Sequence, residues 1–480
     1  MALDLESSYT MTIGGRAVAG AATLEVVNPA TGARWAEAPD ASREQVDQAV
    51  DAARAAFRDW SRTSLAIRKA ALLRMADRME SLAPGLARLL VREQGKPLEQ
   101  ANREVLGAAA YLRETCQIDV PWEKIVEETP QRTVRVRRLP LGVVAAMVPW
   151  NFPVVLAFWK IGPALLAGNT LVLKPSPFTP LTTLKIGEAF RDLLPAGVLN
   201  VVSGGDAVGP WLSAHPGVDK IAFTGSTATG RRVMSSASDS LKRLTLELGG
   251  NDAAIVLPDV DVKEVAKAVF WTAFRNSGQV CIATKRVYIH EQIYDAFADA
   301  LAAYARTVKL GDGLLPDTQM GPIQNRRQLE RLRRMLQDAR DQGLRLRFVG
   351  DVPPGDGYFF PIVLVDDPPE EAAVVAEEAF GPILPLLKFS EVEDVVARVN
   401  KGPYGLGGSV WAKDVSAAVA VAENVQTGTV WVNQANLPSA RAPFAGRRQS
   451  GVGSENGVEG ILEYTAVQTL MVPAGQPTAR

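Results

Sequence analysis

The chain has 480 residues, 47% of them hydrophobic and 22% charged, which is the balance of an ordinary globular protein too long for one core, so two or three domains are expected. A net charge of −1 gives no footprint for nucleic acid or an anionic membrane, and no run of about 18 apolar residues is present to span a bilayer. Two cysteines and two histidines exclude a disulfide framework and a histidine-rich zinc site, so no metal centre is expected.

In chain order, residues 1–35 read as short strands and turns, punctuated by Ile13-Gly-Gly15 and Asn28-Pro29. Residues 1–20 lack a basic start followed by an apolar core, which predicts no secretory leader and, with two free thiols, a cytoplasmic protein. From Ser42 to Cys116 apolar residues recur at helical spacing, with Ser42 a candidate N-cap and a break expected near Pro84-Gly85. Residues 132–138 alternate apolar and charged side chains, as a half-solvated strand does; such a strand often meets a partner strand or subunit.

Between Gly142 and Leu246 apolar strand-like runs (143–148, 170–174, 198–202, 218–223 and 241–248) alternate with helical stretches. That pattern predicts an α/β protein whose parallel sheet is covered on both faces and binds ligands at the carboxyl ends of its strands. Residues 251–431 repeat the alternation, with helices expected over 262–276, 292–308 and 322–341, and a last strand is expected over 465–472.

Three stretches and one cysteine carry the chemistry. Asn151, between Pro149 and Pro153 at the end of an apolar run, suits an amide donor aimed at a developing oxyanion, or simply a turn. Glu247 ends another apolar run before Gly249 and Gly250; burial there should raise its pKa and fit it for general-base work, unless it is only a cap. Residues 222–230, from Ala222 to Gly230, run from a strand into a glycine-containing helix start that can receive a pyrophosphate. Cys281, between Gly278-Gln279 and a β-branched run, is either a presented nucleophile or a buried core thiol. His215 and His290 sit at element boundaries, so a proton acceptor for Cys281 is better sought among carboxylates.

Taken together, PWNFP (149–153), KPSPFTP (174–180), FTGST (223–227), LELGGN (246–251), GQVC (278–281), EEAFGP (377–382), YGLGGSVW (404–411), PFAG (443–446) and SGVG (450–453) resemble the aldehyde dehydrogenase superfamily over essentially the whole chain. The resemblance implies a Rossmann-like nucleotide-binding domain (1–120 and 141–248), an α/β catalytic domain (249–450) and a small β oligomerisation arm (121–140 and 460–480), assembled as a homodimer or homotetramer. It implies Cys281 as the nucleophile, Asn151 with the Cys281 N–H around the oxyanion, Glu247 as the base that activates water, and Glu455 as a proton relay. It implies NAD or NADP as cofactor, with Lys174 and Glu378 on the riboses, Gly225 and Ser226 at the pyrophosphate, Phe380 and Trp150 beside the nicotinamide, and Ser176, Pro177 and Gly249 completing the set. Pro177 departs from NAD-preferring relatives, which often carry an acid there against a 2′-phosphate, and Ser454 stands where many relatives have arginine.

The matching tunnel residues are Phe152, Leu156, Trp159, Arg275, Val280, Ile282 and Phe444, apolar apart from Arg275. The expected substrates are therefore aromatic or medium aliphatic aldehydes. The alternatives are a semialdehyde whose carboxylate Arg275 grips (that arginine otherwise stacking on Trp159 or pairing with an internal acid) and a catalytically silent member of the fold. A cysteine hydrolase would need a histidine partner for Cys281.

Overall fold

A computed structural model describes residue 5 and residues 8–474; the outer ends of the expected first domain and arm, including 475–480, lie outside the described residues. Two sheets organise the chain. The first has eight strands; its centre is the parallel set Leu199–Val201, Thr170–Lys174, Val143–Met147, Lys220–Thr224 and Arg243–Glu247, in that spatial order. The order reverses between Val143–Met147 and Lys220–Thr224, and such a switch point opens a crevice at the carboxyl ends of the two strands. Strands Met11–Ile13 and Arg16–Val18 close one edge, and Gly451–Val452 pairs antiparallel with Leu246 and Glu247 at the other.

The central strands are buried along their whole lengths, which explains their continuous apolar runs. Helices Arg43–Trp60, Leu65–Gln94 and Leu98–Gln117 pack in the same core. Ser42 caps the first of them in a full capping box with Gln45, a device worth about 1 kcal/mol. The expected break at Pro84-Gly85 does not occur, and one helix runs through from Leu65 to Gln94. Pro84 and Glu80, whose carbonyl loses its partner, face solvent, so water replaces the missing donor while Ala83, Leu86, Ala87, Leu89 and Leu90 keep the helix on the core.

The second sheet has seven strands, with Ile383–Phe389, Arg286–His290, Ala253–Val256, Gly407–Trp411 and Thr429–Val432 parallel and adjacent in that order. Alternate residues feed two cores: Ala253 and Ile255 belong to one face, Ala254 and Val256 to the other. The third helix expected here begins at Arg326 rather than 322, because Asn325 caps it by accepting the Gln328 N–H.

A three-stranded antiparallel sheet joins Glu123–Glu128, Arg132–Pro140 and Thr465–Pro473 and stands apart from both cores. It exposes Ile125, Val126, Val467, Leu470 and Met471. Among the described residues no helix is long and apolar enough to cross a membrane.

Candidate active site

The residues singled out in the sequence converge where the carboxyl edge of the first sheet meets the amino edge of the second. Trp150 and Asn151 follow the end of Val143–Met147, Lys174 ends its strand, Gly225 and Ser226 follow Lys220–Thr224, and Glu247 ends Arg243–Glu247. Five residues link Glu247 to the second sheet at Ala253.

Cys281 lies ahead of the Arg286–His290 strand on a loop with an unusual backbone. Asn276, Ser277 and Gly278 are all left-handed, with φ of 50°, 56° and 75°. Such a run costs energy for non-glycine residues and persists only where the surroundings hold it. Here Gln279 does so: its amide donates to the Asn276 carbonyl (2.9 Å), and its side-chain oxygen accepts the Gln324 N–H (2.9 Å). Gly278 is pressed so closely on the Gly381 backbone that an added Cβ would meet Gly381 O at 2.5 Å.

Asn151 is buried, and its Nδ2 donates to the Gln279 carbonyl at 3.0 Å, leaving its second amide hydrogen free. Its own carbonyl accepts from Lys96 Nζ (2.8 Å) and Asn276 Nδ2 (3.1 Å). Lys96 in turn pairs with Glu104, which also accepts the N–H groups of Val154 and Val155 at the start of the next helix. Lys96 and Glu104 escaped the sequence reading; a buried lysine before proline carries no periodic signal.

The Glu247 carboxyl is buried, neither of its oxygens has a hydrogen-bond partner among the described residues, and burial pushes it up to about 8. It faces Cys281. Cys281 keeps partial exposure, yet its sulfur is enclosed densely enough that burial, followed by the Glu247 charge, raises the thiol well above its ordinary value. Glu455 is buried beside Lys160, whose Nζ reaches Glu455 Oε1 at 2.7 Å and Thr224 Oγ1 at 2.8 Å. Lys160, also missed in the sequence, brings a compensating positive charge toward Glu247. Both histidines serve local turns: His215 Nδ1 accepts the Gly217 N–H and His290 Nδ1 accepts the Gln292 N–H.

Along the crevice, Trp150 and Phe380 meet edge to face at 5.4 Å, with Phe380 itself left-handed at φ 52°. Burial lowers Lys174 to about 8, and its Nζ donates to Pro175 O at 3.0 Å. Ser176 Oγ accepts the Phe178 N–H, and Pro177 is half-buried three residues after Lys174. Ser226 is the N-cap of helix Thr227–Ser238, accepting the Thr229 N–H, so free N–H groups and the positive helix end face the edge. Gly249 is bare of necessity, since a Cβ there would lie 2.5 Å from Glu378 Oε2.

The apolar set also gathers. Trp159 packs edge to face on Phe444 at 5.5 Å and against Tyr111 at 6.2 Å, adding Tyr111 to the expected lining. Leu156 is one turn before Trp159, Val280 and Ile282 flank Cys281, and all of them belong to one buried cluster that Phe152 borders. Phe444 is held by paired backbone hydrogen bonds with Glu455. Arg275 corrects one expectation: its guanidinium stacks over Phe152 at 5.8 Å rather than over Trp159. The reason is local: Trp159 is already covered by Tyr111 and Phe444, whereas the Glu104 charge draws Arg275 toward Phe152, whose ring also lies 3.8 Å from Lys96 Nζ. Among the described residues no group of three or more His, Cys, Asp or Glu side chains could hold a metal ion.

Comparison with known proteins gives the same picture from outside. The sequence pattern of the aldehyde dehydrogenase family matches residues 17–470. A probable aldehyde dehydrogenase of a Pseudomonas species is 44% identical over 97% of this chain and 95% of its own length. The phenylacetaldehyde dehydrogenase of Pseudomonas fluorescens is 39% identical over 98% of this chain and 96% of its own. Among solved structures, betaine aldehyde dehydrogenase of Staphylococcus aureus in complex with NAD+ superposes with a TM-score of 0.94, at 30% identity, over 98% of this chain and 96% of that one.

Proposed function

Because the chain belongs to the aldehyde dehydrogenase family, and is an oxidoreductase acting on aldehydes, we propose that it converts aromatic and medium aliphatic aldehydes to carboxylic acids with NAD+ or NADP+. The observation that carries this reading is the Cys281 thiol facing a buried Glu247 carboxyl that burial pushes up to about 8. A silent member of the fold would have no use for either.

In this reading Cys281 attacks the aldehyde carbon as a thiolate, and the oxygen that becomes negative meets the free amide hydrogen of Asn151 and the Cys281 N–H. A bound nicotinamide would supply the acceptor for the hydride that leaves this carbon. The acyl group is then a thioester on Cys281. Glu247 takes a proton from the water that opens it, which releases the acid and restores the thiol. Glu455 and Lys160, already joined by a hydrogen bond, can pass that proton on.

The residues present fit a dinucleotide. The helix start at Ser226 offers N–H donors to a pyrophosphate, the bare Gly249 leaves Glu378 Oε2 open to ribose hydroxyls, and Phe380 with Trp150 forms an aromatic floor. Lys174, Ser176 and Pro177 line the expected adenosine end, and the uncharged Pro177 is the basis for proposing use of both nucleotides. The three larger sheets support a division of the chain into cofactor, catalytic and arm parts. The exposed apolar side chains of the arm support a homodimer or homotetramer, and the two free thiols support a cytoplasmic setting.

For the substrate, the Trp159–Phe444–Tyr111 cluster supports an aromatic or aliphatic aldehyde, in keeping with the phenylacetaldehyde-oxidising relative. A second reading, a semialdehyde gripped by Arg275, is favoured by one observation: Arg275 is half-buried beside Phe152 and forms no ion pair among the described residues. A panel of aldehydes assayed with both nucleotides, read as kcat/KM, decides between them. Strong preference for succinate semialdehyde over every apolar aldehyde would replace the first reading with the second.

A further inference from the structure

Lys285 stands four residues after the nucleophile, and no step above uses it. Its side chain is buried to within 5% of its surface, yet it points at the reacting groups rather than into the core. Its Nζ donates to the Cys281 carbonyl at 2.5 Å and lies 3.2 Å from Glu378 Oε1. The same Glu378 oxygen accepts the Gly250 N–H at 3.2 Å. Two donors occupy Oε1, so Oε2, set over the bare Gly249, is the oxygen left for a ligand.

The surroundings say why a cation is needed there. The Glu378 charge disfavours ionisation of both Glu247 and Asp252, and those two in turn disfavour ionisation of Cys281. Asp252 is buried with both carboxylate oxygens unpartnered among the described residues, and its backbone carbonyl accepts the Lys285 N–H at 2.8 Å. Lys285 is the side chain whose charge favours ionisation of both Cys281 and Asp252.

We propose that Lys285 is a positioning residue for the cofactor: by tying Glu378 Oε1 to the Cys281 peptide, it presents Glu378 Oε2 to the nicotinamide ribose and keeps that ribose in register with the nucleophile. The inference rests on the assignment of Glu378 to the ribose. A single ammonium holds both partners, so any displacement of Glu378 is felt at the Cys281 turn.

The test is a double-mutant cycle in the full-length enzyme, with Lys285→Met, Glu378→Gln and the pair, read as the NADH dissociation constant from nicotinamide fluorescence, with melting curves to verify folding. Each single change is expected to weaken NADH about tenfold, and the pair no more than either alone, because both act through one carboxylate. Additive losses, or a silent Lys285→Met beside a damaging Glu378→Gln, overturn the role of Lys285 while sparing the ribose assignment. A silent Glu378→Gln overturns that assignment and this inference with it. Alkylation of Cys281 by iodoacetamide without nucleotide supplies a second readout. Glu247, Asp252 and Glu378 face this turn, opposed by Lys285, so Lys285→Met should move the alkylation profile to higher pH. An unmoved profile overturns the tie to the Cys281 turn. Should Lys285→Met fail to fold, Lys285→Ala, which likewise leaves no donor to Glu378 or the Cys281 carbonyl, takes its place in the cycle.

Discussion

The two parallel sheets contribute to the site from opposite ends. The first offers the carboxyl ends of its strands, where Asn151, Lys174, Ser226 and Glu247 follow directly from the strand that precedes them. The second offers its amino ends: Cys281 comes before Arg286–His290, Glu378 and Phe380 before Ile383–Phe389, and Asp252 before Ala253–Val256. A carboxyl edge supplies aligned strand and helix ends that suit a phosphate-bearing ligand. An amino edge supplies no such field, so its residues are held instead by left-handed loops and side-chain amides, as Gln279 holds Asn276. In the proposed reading one sheet binds the cofactor and the other presents the nucleophile, with Glu247 belonging to the first while facing the second.

The sharpest way to separate these roles is Cys281→Ala. Acid formation should fall by about a thousandfold or more, since the acyl group has no other sulfur to occupy, while NADH binding at the first sheet's edge stays within about twofold. Turnover that survives well above background would end the division of labour. Glu247→Gln comes next, because it removes a first-sheet group from second-sheet chemistry. The first turnover should persist as a burst of NADH, with the steady state lower by about a hundredfold. Equal loss of both phases would mean that Glu247 acts earlier, on the Cys281 thiol itself. The pH dependence has a definite sign. Glu247 is pushed up to about 8, so its base form grows as pH rises through that value, and the wild-type steady-state rate should climb with it. In Glu247→Gln that limb should vanish.

Two smaller changes test the binding edge alone. Gly249→Ala puts a Cβ where Glu378 Oε2 lies, so the KM for nucleotide should rise about tenfold with a smaller change in kcat. Pro177→Glu should cut use of NADP+ selectively by about tenfold or more, through repulsion of the 2′-phosphate. Unchanged NADP+ kinetics would place the adenosine ribose away from Pro177.

The comparison also explains what could be read in the sequence. Strand-end residues such as Asn151 and Glu247 stand out because a polar side chain interrupts a buried apolar run, and the parallel sheet was legible from the same runs. Periodicity gave no warning of Lys96, Glu104, Lys160, Lys285 or Tyr111, whose roles depend on contacts across long stretches of chain, such as Lys160 with Glu455. The supposed break at Pro84 failed for a related reason: a proline on a solvent face of a long helix costs one hydrogen bond, and burial on the other face outweighs it.

The mildest perturbation, Arg275→Leu, asks which aldehyde the meeting of the two edges accepts. Arg275 opens the loop that leads to the nucleophile, and its guanidinium is partly committed already: it lies over Phe152 and within the field of Glu104, with burial lowering its pKa. A cation over an aromatic face contributes about 0.5–2 kcal/mol, comparable to one charge-assisted contact with a substrate carboxylate, so a semialdehyde would have to draw Arg275 from a satisfied position. Apolar aldehydes make no such demand and, in the proposed reading, would rest on the Trp159–Phe444 cluster instead. Arg275→Leu should therefore change benzaldehyde-type kcat/KM by less than about twofold and lower succinate-semialdehyde kcat/KM by about tenfold. A large loss with the aromatic substrate would show that Arg275 shapes the pocket through Phe152 rather than by its charge, and Arg275→Lys, which keeps the charge without the planar stack, would then share that loss.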